Sequence, residues 1–299
     1  MSHDGMTPLH VIVWQPDGEV RACVQLVHGM VEYIDRYDAF TSFLASNGIA
    51  VIGHDHLGHG QSVLSPEKLG FFATENGDEI LIEDMKQITM EALNRFPGVP
   101  NFILGHSMGS FLTRSYLTKY SHYVKGAVLM GTGFVPPALA GTGKRLAKAT
   151  VSLRGPMHRS KFLTNLALGS YNKPFAPNRT DVDWLSRNTE NVDKYVADPL
   201  CGYMFTASAY VDFFTVLKKL ADQVDFDHIR KDLPVLIISG ELDPVGGKEA
   251  CPKVEQSLKA LGLKDVSMIL YPEDRHEILN ETDREKVFSD LLNWFRSKM

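Results

Sequence analysis

Short apolar runs with glycine near their ends recur along the chain: RACVQLVHG to Gly29, IAVIGHD to Asp55, NFILGHS to Ser107, GAVLMG to Gly131 and PVLIISG to Gly240. Such near-continuous runs read as strands buried on both faces, the mark of a parallel sheet. Helical patterns lie between them. In DEILIEDMKQITMEALNRF, Ile82, Met85, Ile88 and Leu93 recur at three- to five-residue steps, which defines one buried helix face. The alternation predicts an α/β fold: a mostly parallel central sheet flanked by helices on both sides.

The alternation stops after Gly133. Residues 134–180 contain prolines and amphipathic pieces but no buried strand. The pattern resumes in TASAYVDFFTVLKKL, continues through strand 234–240 and VSMILY, and closes with the helix REKVFSDLLNWF. The expected organisation is a core of residues 1–133 and 206–299 interrupted by an inserted helical cap, residues 134–205. No internal repeat or low-complexity segment interrupts it.

Composition narrows the partners. With 299 residues, 44% hydrophobic and 22% charged, the chain has the make-up of a packed globule. A net charge of −5 argues against a nucleic-acid partner, which calls for a strong basic excess. Cys23, Cys201 and Cys251 are odd in number and widely spaced, so neither a disulfide framework nor a cysteine zinc site is read, and a reducing compartment is expected. MSHDGMTPLH is not a signal sequence and no run of 18 apolar residues occurs, so a cytoplasmic protein is expected.

Candidate chemistry centres on GHSMG, residues 105–109. G-x-S-x-G between a strand and a helix is a nucleophile elbow, a strained turn that presents serine above the sheet edge. The pattern alone arises by chance in about one chain in ten of this length. Its setting adds the weight: NFIL precedes it as a strand, and SFLTRSYLTKY follows as a helix with Phe111, Leu112 and Leu117 to bury. Serine is a weak nucleophile without a base and a carboxylate to orient that base. The elbow's chain order is serine, acid, histidine. After strand 234–240, GELDP offers Glu241 and Asp243; Asp243 is favoured because it lies further into the loop and Pro244 helps fix the turn. Beyond Asp243 the chain contains a single histidine, His276. The oxyanion of an acyl-transfer reaction needs backbone N–H donors, and these point to Met108, after the serine, and to Met30 in VHGMVEY. Gly29 either lets that loop approach substrate or simply ends a strand.

GHDHLGHGQS raises a rival site. His54, His56 and His59 nearly reproduce the HxHxDH metal motif of metallo-β-lactamase-like hydrolases, and three imidazoles can hold zinc. Position 58, however, is glycine where that motif needs aspartate, and no later ligands are identified. The histidines are therefore read as structural and no metal is expected.

Taken together, LVHGMVEY, GHDHLGHGQS, GHSMG, SGELDP and HEILNE resemble the α/β-hydrolase superfamily, specifically its monoacylglycerol lipase and lysophospholipase branch. The resemblance spans nearly the whole chain. It implies an α/β-hydrolase fold, a serine esterase acting on a small single-chain lipid ester, Ser107 as nucleophile, His276 as base, Asp243 as its orienter, Met30 and Met108 as oxyanion donors, and no cofactor. A prolyl aminopeptidase or thioesterase on the same fold, or a non-catalytic ligand-binding protein, are the alternatives.

The cap itself departs from recognisable motif. Residues 134–180 hold eight Lys or Arg and no Asp or Glu, so the rest of the chain carries thirteen net negative charges. Leu146, Ala149 and Leu153 recur beside Lys144, Arg145 and Lys148. Such a helix either lies on an anionic membrane surface or packs its apolar face on the core with its cations solvated. Oligomeric state is not readable.

Overall fold

A computed structural model describes residues 1–299. In chain order the elements are β1 (Val11–Trp14), β2 (Ala22–Val27), α1 (Asp38–Ser46), β3 (Ile49–His54), α2 (Gly77–Arg95), β4 (Asn101–His106), α3 (Met108–Tyr120), β5 (Gly126–Met130), α4 (Pro137–Arg154), α5 (Lys161–Leu168), α6 (Thr189–Ala197), α7 (Ala207–Ala221), β6 (Val235–Gly240), α8 (Gly247–Ala260), β7 (Val266–Tyr271) and α9 (Arg284–Lys298). The seven strands form one sheet in the order β1-β3-β2-β4-β5-β6-β7. Every neighbouring pair is parallel except β1 with β3, where Val11 faces His54 in antiparallel register.

Successive strand residues point to opposite faces. On β4 and β6, Ile103, Val235 and Ile237 join the core under α2, α3, α7 and α8, whereas Phe102, Leu104, Leu236 and Ile238 join the core under α1 and α9. Strands β2 to β6 are buried along their whole length, which is why they carry no polar alternation. β1 was not among the expected strands: it is four residues long and partly exposed at the sheet edge, so it lacks that signature.

Helix α2 buries Leu81, Ile82, Met85, Ile88 and Ala92, so Leu93 stands beside the buried face rather than on it. Residues 134–205 contain α4, α5, α6 and short 3-10 turns but no named strand. α4 packs along α7. Its apolar register differs from the expected one: the buried positions are Ala140, Gly141, Gly143 and Ala147, while Leu146 is only half-buried and Ala149 and Leu153 are exposed. Close approach explains the shift, because a Cβ on Gly143 would lie 2.6 Å from the Phe214 ring of α7. Small residues make this contact, and leucines would hold the helices apart.

Candidate active site

All parallel strands end on one edge of the sheet, and the loops after β2, β4, β6 and β7 meet there, as expected of ligand sites in α/β sheets. Ser107 links β4 to α3 with φ 53° and ψ −121°. A non-glycine residue there stores strain on the order of 1–3 kcal/mol. The turn is held by the Ser107 N–H, which donates to the Met130 carbonyl at 2.9 Å, and by Ser110 Oγ, which donates to the Ser107 carbonyl at 2.6 Å. The flanking glycines are there for space: a Cβ on Gly109 would lie 2.1 Å from the Val27 carbonyl oxygen, and one on Gly105 2.3 Å from that of Gly109.

His276 is buried, with Nδ1 2.9 Å from Asp243 Oδ1. With Nδ1–H donated to that carboxylate, the Nε2 lone pair is left for the cavity. Asp243 also accepts the Val245 N–H at 2.8 Å and the Ser239 hydroxyl at 2.9 Å. Burial pushes its carboxyl up, but His276 and these donors hold it below the usual carboxylate range. Glu241 lies outside this constellation, half-buried and with no side-chain hydrogen bond.

Ser107 and His276 open onto one cavity of about 600 Å³, whose wall includes Met30, Met108, Phe111, Tyr171, Trp184, Leu185, Phe213 and Val245. Met108 is the first residue of α3, so its N–H has no carbonyl one turn earlier to bond. The Met30 N–H has no partner within the protein either. Gly29 is placed differently from its neighbours. It does not line the cavity, its N–H donates to Glu32 Oε1 at 2.7 Å, and a Cβ there would lie 3.2 Å from Ser107 Cβ.

His54, His56 and His59 are fully buried behind this edge with His28. Their rings pack face on edge, 5.0 Å apart for His54 and His56 and 6.0 Å for His56 and His59, and no three groups converge as a ligand set. His28 Nε2 accepts the His56 N–H at 2.9 Å and its Nδ1–H donates to the Gly29 carbonyl at 2.8 Å, which fastens the loop that carries Met30. Burial pushes His56 down to about 4 and His59 to about 3, so these imidazoles are neutral.

A buried polar network beside the cavity was not anticipated. Arg36 donates to Glu32 at 2.6 Å and to both oxygens of Glu277 at 2.8 Å. Tyr37 donates to Glu32 at 2.7 Å and lies 2.7 Å from His106 Nδ1. The His106 ring is 4.7 Å from that of His276. Burial would lower His106, but Glu32 outweighs it and raises the imidazole above its ordinary value. The one sequence signal for this network is the i, i+4 pair Glu32 and Arg36, beside Tyr37; His106 and Glu277 come from distant segments.

The fold and site define a hydrolase of the α/β type, and comparison with known proteins places it further. The family model described as "Serine aminopeptidase, S33" matches residues 18–283, and the chain belongs to that family. It is 26% identical over 295 residues to a monoacylglycerol lipase of Mycolicibacterium smegmatis, covering 96% of this chain and 92% of that protein. To the monoglyceride lipase of Mus musculus it is 29% identical over 291 residues, covering 94% and 84% respectively. A crystal structure of a thermostable carboxyl esterase from Bacillus coagulans, in complex with glycerol, superposes with a TM-score of 0.92 at 24% identity, covering 99% of this chain and 96% of the other. The architecture is therefore the α/β-hydrolase fold.

Proposed function

We propose that the protein hydrolyses carboxylic esters of single-chain lipids, with monoacylglycerols favoured and lysophospholipids next, through an acyl-serine intermediate. The observation that carries this reading is the buried Asp243–His276 pair, which opens together with Ser107 onto an apolar cavity. At about 600 Å³ the cavity falls within the roughly 300–1,000 Å³ of small-molecule sites. Support for the substrate class comes from the lipases that the chain resembles along nearly its whole length.

In this mechanism Ser107 Oγ attacks the ester carbonyl while His276 Nε2 takes its proton. Asp243 holds the imidazole in the required tautomer and stabilises the imidazolium. The Met30 and Met108 N–H groups receive the oxyanion. The imidazolium then protonates the departing alkoxide, and water activated by the same histidine releases the fatty acid. No step needs a cofactor.

A peptidase reading has one observation in its favour, since Glu32 and Glu277 line the cavity as a substrate ammonium group would require. The oxygens of both carboxylates, however, already accept from Arg36, and from Tyr37, the Gly29 N–H and Asn191, so a substrate ammonium group would have to displace these donors. The test is turnover of monoacylglycerol, short esters, acyl thioesters and prolyl amides, with Ser107→Ala as the blank. Faster turnover of prolyl amides than of monoacylglycerol would overturn the lipase reading.

Residues 134–205 act in this reading as the cap over the cavity, and α4 and α5 as its membrane-facing part. Leu153 is 81% exposed, Phe162 59% and Leu139 54%, interspersed with Lys144, Arg145, Lys148 and Lys161. Apolar side chains among cations suit an anionic lipid surface. Leu153→Ser with Phe162→Ser is expected to lower co-sedimentation with anionic vesicles several-fold while leaving hydrolysis of a soluble short ester unchanged. Equal binding of wild type and variant would contradict this placement. No helix in the chain is long and apolar enough to cross a membrane.

A further inference from the structure

We infer that Glu281 is a positioning residue for His276, and that residues 183–191 of the insertion form the fixed seat of the loop that carries it. The inference rests on the assignment of His276 as the base. That loop runs from β7 to α9, and a base on a loop tip works only where its backbone is held.

The backbone N–H groups on either side of His276 are both taken, one by a side chain further along the loop and one by the insertion. The Arg275 N–H donates to Glu281 Oε1 at 3.1 Å, and the Glu277 N–H donates to the Leu185 carbonyl at 2.7 Å. The same Glu281 oxygen accepts the Arg187 N–H at 3.0 Å, so a single buried carboxylate joins the backbone of the histidine loop to that of the insertion. The Arg187 side chain reinforces the joint, donating to Asp274 at 2.8 Å and Asp283 at 2.6 Å. Asn188 donates to the Asn280 carbonyl at 3.0 Å, Asn191 to Glu277 at 2.7 Å, and the Trp184 ring lies 4.9 Å from that of His276.

Burying Glu281 beside Asp274 and Asp283 is electrostatically unfavourable, and one arginine offsets it only in part. What an apolar side chain could not do is accept two N–H groups from two segments at once. The second part of the insertion is therefore built into the loop that carries His276.

The experiment compares Glu281→Ala and Glu281→Gln with a core control, Ile88→Ala, which removes buried volume from α2 far from the loop. Activity is expressed per Ser107 titrated with a fluorophosphonate, and the downfield imidazole N–H resonance of His276 is followed by NMR. Glu281→Ala is expected to lose about tenfold to a hundredfold in kcat per titrated site, with KM within about twofold, and to lose or broaden the resonance. Glu281→Gln keeps an oxygen that accepts both N–H groups and is expected to recover most of kcat. Ile88→Ala is expected to lower Tm with kcat per titrated site unchanged. Wild-type kcat per titrated site in Glu281→Ala, beside an inactive His276→Ala, overturns the inference alone. An active His276→Ala overturns the assignment of the base, and this inference with it.

Discussion

Ser107, His276 and Asp243 come from three loops, and each is held by contacts that the chemistry does not itself need. Ser107→Ala is expected to lower kcat by about 10⁴-fold or more while leaving Tm within a few degrees, since it removes one half-buried oxygen. Asp243→Asn keeps the volume but loses the charge and the tautomer that Nδ1 depends on. It is expected to cost about 10⁴-fold in kcat, measured on a soluble ester. The three candidates could be proposed from the chain because the elbow motif sets an order of serine, acid and histidine and only one histidine remains beyond Asp243. The Glu32, Arg36, His106 and Glu277 network could not: Arg36 and Glu277 lie 241 positions apart, and no local pattern announces such a pair.

Among the elements, the buried strands were readable because both faces are covered, whereas β1, short and partly exposed, carries too little pattern to separate it from a loop. α4 illustrates the opposite difficulty. Its largest apolar residues suggested the buried face, yet close packing on α7 selects Ala140, Gly141, Gly143 and Ala147. Gly143→Leu is expected to destabilise by about 1–3 kcal/mol through overpacking against Phe214, read as a lower urea midpoint, whereas Ala149→Leu at the exposed position should change it little. At the elbow, Gly109→Ala forces a methyl into the Val27 carbonyl. Slower fluorophosphonate labelling and a lower Tm are both expected, because β2, α3 and Ser107 meet at that point.

The molecule as a whole sets buried histidines against buried aspartates. His56 and His59 sit well below an unfolded value near 6.5, so the stability they contribute is present above that pH and is lost as pH falls toward about 4 and about 3. Burial raises Asp84 to about 6 and Asp212 to about 7, which works in the other direction: their contribution is present at low pH and is lost as pH rises through those values. The net acid slope is therefore shallower than the histidines alone would give. His59→Gln is expected to flatten it by about 1.4 kcal/mol per pH unit between about pH 6 and 4, and Asp212→Asn to steepen it between about pH 7 and 4, both followed by urea unfolding. Neither effect was legible in the chain, because it depends on how deeply each side chain is buried. For the account as a whole, fatty-acid release from monooleoylglycerol by wild type and Ser107→Ala is the most direct test. The expected result is rapid turnover by the wild type and a loss of at least about 10⁴-fold in the variant; a Ser107→Ala protein within tenfold of wild type would contradict it.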